Sequence, residues 1–153
     1  METLTRRLSS PAETLELGRR LGGALREGDF VALLGELGSG KTLFVRGVAE
    51  GAQATPATSP SFALANLYRG ASVTLQHLDL YRLSGPAELF ALGFDDMIAA
   101  SAATLCEWAD RAGSALPADR LEISFAVTGT EERSASLVAH GPRSAELLAG
   151  LAD

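Results

Sequence analysis

Residues 29–51 read DFVALLGELGSGKTLFVRGVAEG. In this stretch an apolar run precedes the segment Gly35 to Thr42, which matches the G-x-x-x-x-G-K-[ST] pattern of a phosphate-binding loop, and helix-forming residues follow it. We therefore predict a strand, a glycine-rich turn and a helix in that order. Such a turn lets successive backbone N–H groups and the positive end of the helix converge on the oxygens of a phosphate group.

The last two residues of the pattern carry side chains with defined chemistry. We expect Lys41 to reach the β- and γ-phosphates of a nucleotide and Thr42 to offer its hydroxyl to Mg²⁺. The residues predicted to bind the nucleotide are Gly35, Leu37, Gly38, Ser39, Gly40, Lys41 and Thr42.

Lysine usage supports the assignment of a phosphate site. Lys41 is the only lysine among the thirteen basic residues, and all the others are arginines. The chain thus keeps lysine at the one position where a compact ammonium suits the chemistry better than a planar guanidinium. The alternative is a glycine-rich turn that ends in Lys-Thr by coincidence, and the strand and helix signals on either side argue against it.

Size and composition favour one soluble domain. A chain of 153 residues with 46% hydrophobic and 21% charged residues is typical of a single globular domain with a real core. The net charge of −6, without a dense run of basic residues, argues against direct capture of a nucleic acid. Cys106 is the only cysteine, which excludes an internal disulfide and a cysteine zinc site.

The N-terminal segment METLTRRLSSPAE lacks the apolar core of a signal peptide. No apolar run approaches the roughly 18 residues that a membrane-spanning helix needs. We therefore expect a cytoplasmic protein that does not interact with membranes.

Helix and strand signals alternate along the chain. Ser10, Pro11 and Glu13 have the spacing of a helix N-terminus with a capping box. Residues 51–61 are small, polar and proline-containing, which predicts a loop, and its hydroxyl residues Thr58, Ser59 and Ser61 either sense a γ-phosphate or belong to an ordinary surface loop. The other predicted elements are helices at 11–26, 86–92, 94–102 and 142–151 and strands at 62–68, 73–79, 104–107, 121–127 and 133–139.

These elements predict an α/β protein. We expect a single three-layer domain over residues 1–153, P-loop NTPase-like, with a mixed, mainly parallel sheet and a C-terminal antiparallel hairpin. Residues 3–8 are a weaker candidate for a short edge strand.

Two predicted strands end in an acidic residue. In an open α/β sheet, ligands bind at the carboxyl ends of the parallel strands, so Glu107 would lie beside the phosphate loop if its strand is parallel to the first. Asp79 is a candidate for orienting Mg²⁺ or the attacking water, with a turn-capping role as the alternative.

Two further residues near these acids have more than one interpretation. We interpret His77 as a packing residue on the same strand face as Asp79. For Trp108, the only tryptophan, packing in the core competes with a role in covering the site or a partner surface.

Five segments considered together resemble a known family. GELGSGKT, TSPSFALANLY, HLDLYRL, ELFALGFDD and LCEWADR occur in this order and are similar to TsaE, the small bacterial P-loop ATPase needed for threonylcarbamoyladenosine (t6A) modification of tRNA. The resemblance covers nearly the whole chain. It implies an ATPase that binds the TsaD–TsaB complex and uses ATP hydrolysis to reset it, with tRNA engaged only indirectly through that complex.

The resemblance also implies roles for single residues. Thr42 and Glu107 match the family's two Mg²⁺ ligands, and Asp79 matches an aspartate important for hydrolysis; with Lys41 these acids form the implied catalytic set. The implied cofactors are ATP and Mg²⁺. The chain has Leu43 where a second threonine is common and Ser61 where threonine is common, and neither change removes a required hydroxyl.

Three functions are compatible with these features. The first is an ATPase that is slow alone and stimulated by its partners. The second is a small-molecule P-loop kinase, although the chain has no insertion long enough for the usual lid. The third is a docking module that binds ATP with negligible catalysis.

Overall fold

The computed structural model describes residues 2–36, 38–57, 65–81, 83–98 and 101–152. Leu37, Thr58, Ser59 and Ser61 lie outside the described residues, so their predicted roles stay predictions. The strands are β1 (Glu2–Leu8), β2 (Phe30–Leu34), β3 (Thr55–Ala57), β4 (Ala65–Arg69), β5 (Thr74–Asp79), β6 (Ala103–Glu107), β7 (Leu121–Val127) and β8 (Arg133–Ala139). The helices are α1 (Pro11–Ala24), α2 (Lys41–Gly51), α3 (Pro86–Ala91), α4 (Phe94–Ile98) and α5 (Pro142–Gly150), with a 3₁₀ segment at Ala109–Ala115.

The described strands form one mixed sheet in the order β1-β8-β7-β2-β6-β5-β4-β3. Its centre is parallel, because β2 pairs in parallel with both β6 and β7, and β6 pairs in parallel with β5. Antiparallel strands flank this centre on both sides. The predicted fold class is confirmed, including the C-terminal hairpin of β7 and β8, and β1 is the edge strand beside β8.

Helices cover both faces of the sheet, which gives three layers. One core lies between the sheet and helices α1, α2 and α5, and it contains the inward side chains of β2, β5, β6, β7 and β8. The second core lies on the opposite face under α3, α4 and the 3₁₀ segment. Strand β2 is buried on both faces, since Val31 and Leu33 belong to the first core and Phe30 and Ala32 to the second. None of the helices among the described residues is long and apolar enough to cross a membrane.

Helix α1 begins as the sequence predicts. Ser10 accepts the Glu13 N–H through Oγ at 3.3 Å, and Pro11 occupies the first turn. The Glu13 carboxylate accepts the N–H of Ser9 at 2.8 Å, one residue before the position that a capping box predicts. The cap fixes the direction in which α1 runs back over the sheet toward α2.

Two local predictions were wrong, and one short element was missed. Strand β3 lies within the predicted loop 51–61, where Pro56 is tolerated because β3 is the edge strand of the described sheet. Helix α4 spans Phe94–Ile98, and residues 101 and 102, which the prediction included, are not helical. The 3₁₀ segment at Ala109–Ala115 was not predicted, since it has no apolar periodicity of its own.

Candidate phosphate and metal site

The predicted site residues lie at one edge of the sheet. Strands β2, β5 and β6 are parallel, so the loop after β2 and the residues that end β5 and β6 meet at the same edge. Asp79 and Glu107 occupy paired positions in the β5–β6 register. The condition set by the sequence, that the strand of Glu107 runs parallel to the first, is therefore met.

The loop before α2 has the backbone of an anion-binding turn. Gly40 precedes the helix with φ 108°, and Gly35 leaves β2 with φ 138°. Side-chain-bearing residues rarely adopt either conformation. A Cβ on Gly35 would also lie 2.8 Å from the carbonyl oxygen of Phe125. Helix α2 then begins at Lys41, and its first N–H groups point toward the loop without partners in the helix.

Ser39 provides a test of whether an anion fits the loop. The residue is buried, and its Oγ has no hydrogen-bond partner in the described part of the chain. A buried hydroxyl without a partner is costly unless something outside the chain accepts its proton. A phosphate oxygen held by the surrounding N–H groups is a suitable acceptor, so the loop fits the group that its sequence pattern predicts.

The side chain of Lys41 contacts the same loop. Its Nζ donates a hydrogen bond to the carbonyl oxygen of Gly35 and stands 3.9 Å from the ring centroid of Trp108. Burial lowers the pKa of the Lys41 ammonium, and the negative charges of Glu107, Asp79 and Asp110 oppose that shift. The ammonium is thus present at the loop and held by groups that a phosphate can replace.

The two carboxylates have different surroundings. Glu107 is buried with 6% of its surface exposed, whereas Asp79 is exposed at the end of β5. Asp79 Oδ1 accepts the N–H of Tyr81 at 3.0 Å, so the turn-capping role that the sequence left open is present in the structure. One oxygen of Asp79 serves the turn, and the side chain still lines the cavity described below.

His77 is a site residue that the sequence interpretation missed. Its Nε2 lies 2.5 Å from Glu107 Oε2, and both side chains are largely buried. The alternation of β5 already placed His77 on the same face as Asp79. That shared face was the available signal, but a lone histidine in a strand is more often a packing residue.

Trp108 connects the site to the opposite face of the sheet. Its backbone is left-handed, with φ 57°, and its N–H donates to the Leu33 carbonyl oxygen at 3.1 Å. The ring packs against the second core, contacts Lys41 and lies 5.0 Å from the ring of Tyr81 between centroids. The structure therefore joins the two roles that the sequence left open, core packing and covering the site.

A cavity of about 490 Å³ opens beside these residues. Polar and charged residues line it on α2, β5 and β6, and apolar residues line it on α2, β4 and the chain around β3. The polar and charged ones are Thr42, Arg46, Glu50, His77, Asp79 and Glu107. A second, smaller cavity of about 80 Å³ lies on the other side of the loop, beside Gly40 and Arg133. The guanidinium of Arg133 donates to the carbonyl oxygen of Gly38 at 3.1 Å, which ties β8 to the loop.

The oxygen donors of the first cavity fit Mg²⁺. The Thr42 hydroxyl and the Glu107 carboxylate line the same space, and Mg²⁺ prefers one or two such ligands together with phosphate oxygens and water. The described residues hold no cluster of three His, Cys, Asp or Glu side chains that could bind a metal unaided. A metal at this position therefore needs further ligands from outside the described residues, such as phosphate oxygens and water.

Comparison with known proteins places the chain in a family. The model of the family described as "Threonylcarbamoyl adenosine biosynthesis protein TsaE" matches residues 8–135. The "tRNA threonylcarbamoyladenosine biosynthesis protein TsaE" of Bacillus subtilis is 34% identical over 144 residues, which cover 94% of this chain and 90% of that one. The protein of the same name from Streptomyces coelicolor is 43% identical over 112 residues, which cover 71% of this chain and 75% of that one.

A solved structure agrees with these matches. The crystal structure of YdiB from Bacillus subtilis superposes with a TM-score of 0.82 at 32% identity, covering 98% of this chain and 94% of that one. The match to the family model includes the phosphate loop, Asp79 and Glu107. The alignment with the Bacillus subtilis relative and the superposition on YdiB both extend beyond residues 8–135. The chain therefore belongs to the TsaE family.

Proposed function

We propose that this protein is a Mg²⁺-dependent ATPase that supports t6A modification of tRNA together with TsaD and TsaB. The observation that carries the proposal is the meeting of Lys41 and Thr42, at the start of α2, with Asp79 and Glu107, at the ends of two parallel strands. Thr42, Asp79 and Glu107 line one cavity, and both acids act electrostatically on Lys41. A cationic loop opposite two carboxylates is the arrangement that phosphoryl transfer from a nucleotide requires.

Each residue has a role that follows from its position. Lys41 exchanges its contacts with Gly35 and Trp108 for the β- and γ-phosphates. The backbone N–H groups of the loop and Ser39 bind phosphate oxygens, and Thr42 and Glu107 hold Mg²⁺. Bound Mg²⁺ supplies positive charge that offsets the charge on those oxygens. Asp79, exposed at the mouth of the cavity, orients the attacking water.

The assignment to t6A biosynthesis rests on the family. The relatives from Bacillus subtilis and Streptomyces coelicolor carry that function in their names. The net charge of −6 favours a protein partner over direct contact with tRNA. We therefore propose that tRNA is engaged only through the TsaD–TsaB complex. We expect turnover to be slow without that complex, because Asp79, which orients the attacking water, is exposed to solvent.

The test measures phosphate release from ATP by the whole chain, with and without Mg²⁺ and with and without TsaD and TsaB. We expect Lys41→Ala and Glu107→Gln to lower the rate by roughly 100-fold or more, as the loss of a group that contacts transition-state charge does. The matched control is Glu122→Gln, which neutralises a partly buried carboxylate of the same sheet outside the cavity. Phosphate release that needs neither Mg²⁺ nor Glu107 would overturn the proposal, and so would its absence in every combination.

The size of the cavity favours a second candidate, a small-molecule kinase. At about 490 Å³, with apolar residues as well as Thr42 and Asp79 in its lining, the cavity has room for a phosphate acceptor. The two functions differ in the fate of the γ-phosphate. Release as inorganic phosphate supports the ATPase, whereas transfer to a nucleoside or a similar hydroxyl compound supports the kinase.

A docking module that only binds ATP is separated by a further measurement. In a t6A-forming assay with TsaD and TsaB, a non-hydrolysable ATP analogue supports many turnovers if binding suffices. We expect the analogue to stop the assay after the first cycle, because the ATPase needs hydrolysis to reset the complex.

A further inference from the structure

Glu107, at the end of β6, contacts His77 of β5, and the proposed ATPase activity does not by itself explain this contact. His77 and Asp79 lie on the same face of β5, and Asp79 is the register partner of Glu107. The Glu107 carboxylate is turned toward His77, with Oε2 at 2.5 Å from Nε2. Two neighbouring carboxylates repel each other, and the hydrogen bond with His77 stabilises this orientation of Glu107.

The chain contains a second histidine–glutamate pair that serves as an internal comparison. His140 Nε2 lies 2.8 Å from Glu122 Oε1, and the exposed fractions of the side chains are 19% and 22%. The corresponding fractions for His77 and Glu107 are 16% and 8%. Glu122 has a second partner in Arg120 at 2.9 Å, and neither member of this pair lines the cavity beside the phosphate loop.

We propose that His77 is a positioning residue that holds the Glu107 carboxylate in the cavity that Thr42 also lines, so that Mg²⁺ carried by a nucleotide meets an oriented ligand. This inference rests on the proposed function. The imidazole Nε2–H donates to Oε2, which limits the rotation of the glutamate side chain. Partners that orient a metal ligand in this way typically contribute roughly 10- to 100-fold in metal affinity.

The experiment measures nucleotide affinity by calorimetry on the whole chain, with ADP and with a non-hydrolysable ATP analogue, each with and without Mg²⁺. The readout is, for each nucleotide, the dissociation constant without Mg²⁺ divided by the dissociation constant with Mg²⁺. This ratio isolates the contribution of the metal. We expect His77→Ala to reduce that ratio by roughly 10- to 100-fold while the affinity without Mg²⁺ stays within about twofold. Glu107→Gln gives the reference value of this ratio for a protein whose metal ligand is itself weakened.

Three variants distinguish positioning from packing. His77→Gln keeps an N–H donor near the place of Nε2 and restores most of the ratio, whereas the shorter His77→Asn does not. His140→Ala, the matched control, leaves the ratio unchanged. If His77→Ala melts at a lower temperature than His140→Ala, the difference between the Gln and Asn variants decides, since both place an amide at this position.

The outcomes separate the inference from the proposed function. If the unsubstituted protein binds nucleotide more tightly with Mg²⁺ and His77→Ala shows the same ratio as His140→Ala, the inference is overturned and the ATPase proposal stands. Equal ratios for the Gln and Asn variants overturn it as well. If the unsubstituted protein binds no nucleotide, the ATPase proposal fails and the inference falls with it.

Discussion

The two faces of the sheet are covered in different ways. On one face lie α1, α2 and α5, regular helices of 14, 11 and 9 residues. On the other lie α3 and α4, of 6 and 5 residues, and the 3₁₀ segment. Large apolar side chains are exposed mainly on the second face, where Phe90 is 73% and Leu92 is 43% exposed.

The difference shows how each face contributes to the phosphate loop. The first face positions the phosphate loop, because α2 carries Lys41 and Thr42 and is packed tightly against α1. The second face supplies Trp108, whose ring reaches across the sheet edge to Lys41. The packed helix pair of α1 and α2 therefore holds the loop in place, and Trp108 contacts Lys41 from the other face.

The largest effect expected on the first face comes from the contact between α1 and α2. A Cβ on Gly51, the last residue of α2, would lie 2.0 Å from the Arg19 carbonyl oxygen. Gly51→Ala should lower the free energy of unfolding by about 3 kcal/mol or more, because backbone atoms cannot move aside as a side chain can. The measurement is chemical denaturation followed by circular dichroism.

Gly150 provides the control for this substitution. It is the last residue of α5, and a Cβ there would meet no atom within 4 Å. Gly150→Ala should be neutral or stabilising by up to about 1 kcal/mol, because alanine favours the helix. Equal effects of the two substitutions would contradict the steric explanation.

The second prediction compares neighbouring residues of α3 on the other face. Leu89 is fully buried in the second core, whereas Phe90 is 73% exposed. Leu89→Ala should cost about 2–5 kcal/mol of unfolding free energy. Phe90→Ala, although it removes a larger side chain, should cost less than about 1 kcal/mol, since little of its surface leaves water on folding. A large loss from Phe90→Ala would show that the second face is packed as tightly as the first.

The sequence predicted the first face better than the second. Its helices have long apolar periodicity and clear caps, such as Ser10 and Pro11, so their positions followed from local chemistry. The hairpin of β7 and β8 was predicted with the bounds that the structure has, because both strands alternate and polar residues separate them. On the second face, the starts of α3 and α4 were also predicted, but the 3₁₀ segment was missed because it has no periodic apolar signal.

For the candidate site, the sequence predicted positions and missed contacts. The loop pattern and the strand ends located Lys41, Asp79 and Glu107 at the correct edge, since parallel strands leave no other choice. The pairing of His77 with Glu107 joins residues 30 positions apart and depends on the register of β5 and β6. Nothing local in the sequence sets that register, and so His77 was assigned to packing.

The third prediction concerns the contact between Lys41, on the first face, and Trp108, on the second. Burial places the pKa of Lys41 below its ordinary value of 10.5. Lys41 is the only lysine, so in protein labelled at lysine its side-chain NMR signal is unambiguous and can be titrated directly. Trp108→Ala should raise the pKa of Lys41, because water then reaches the ammonium, and Trp108→Phe should raise it less. A pKa at or above the ordinary value in the unsubstituted protein would show that the ring does not shield Lys41.

The smallest effect is expected at Glu122, on the part of the sheet that is distant from the phosphate loop. Burial disfavours the charged carboxylate, but hydrogen bonds from His140 and Arg120 outweigh it and hold the pKa of Glu122 below its ordinary value of 4.5. A carboxyl group with a lowered pKa in the folded state stabilises the protein above its unfolded pKa, and the contribution is lost as the pH falls through the folded value. The free energy of unfolding should therefore decrease below about pH 4.5. Glu122→Gln should reduce that slope, whereas Glu27→Gln, at an exposed glutamate, should leave it unchanged. If both variants keep the slope of the unsubstituted protein, the acid sensitivity arises elsewhere, and the contacts of Glu122 with Arg120 and His140 do not contribute to it.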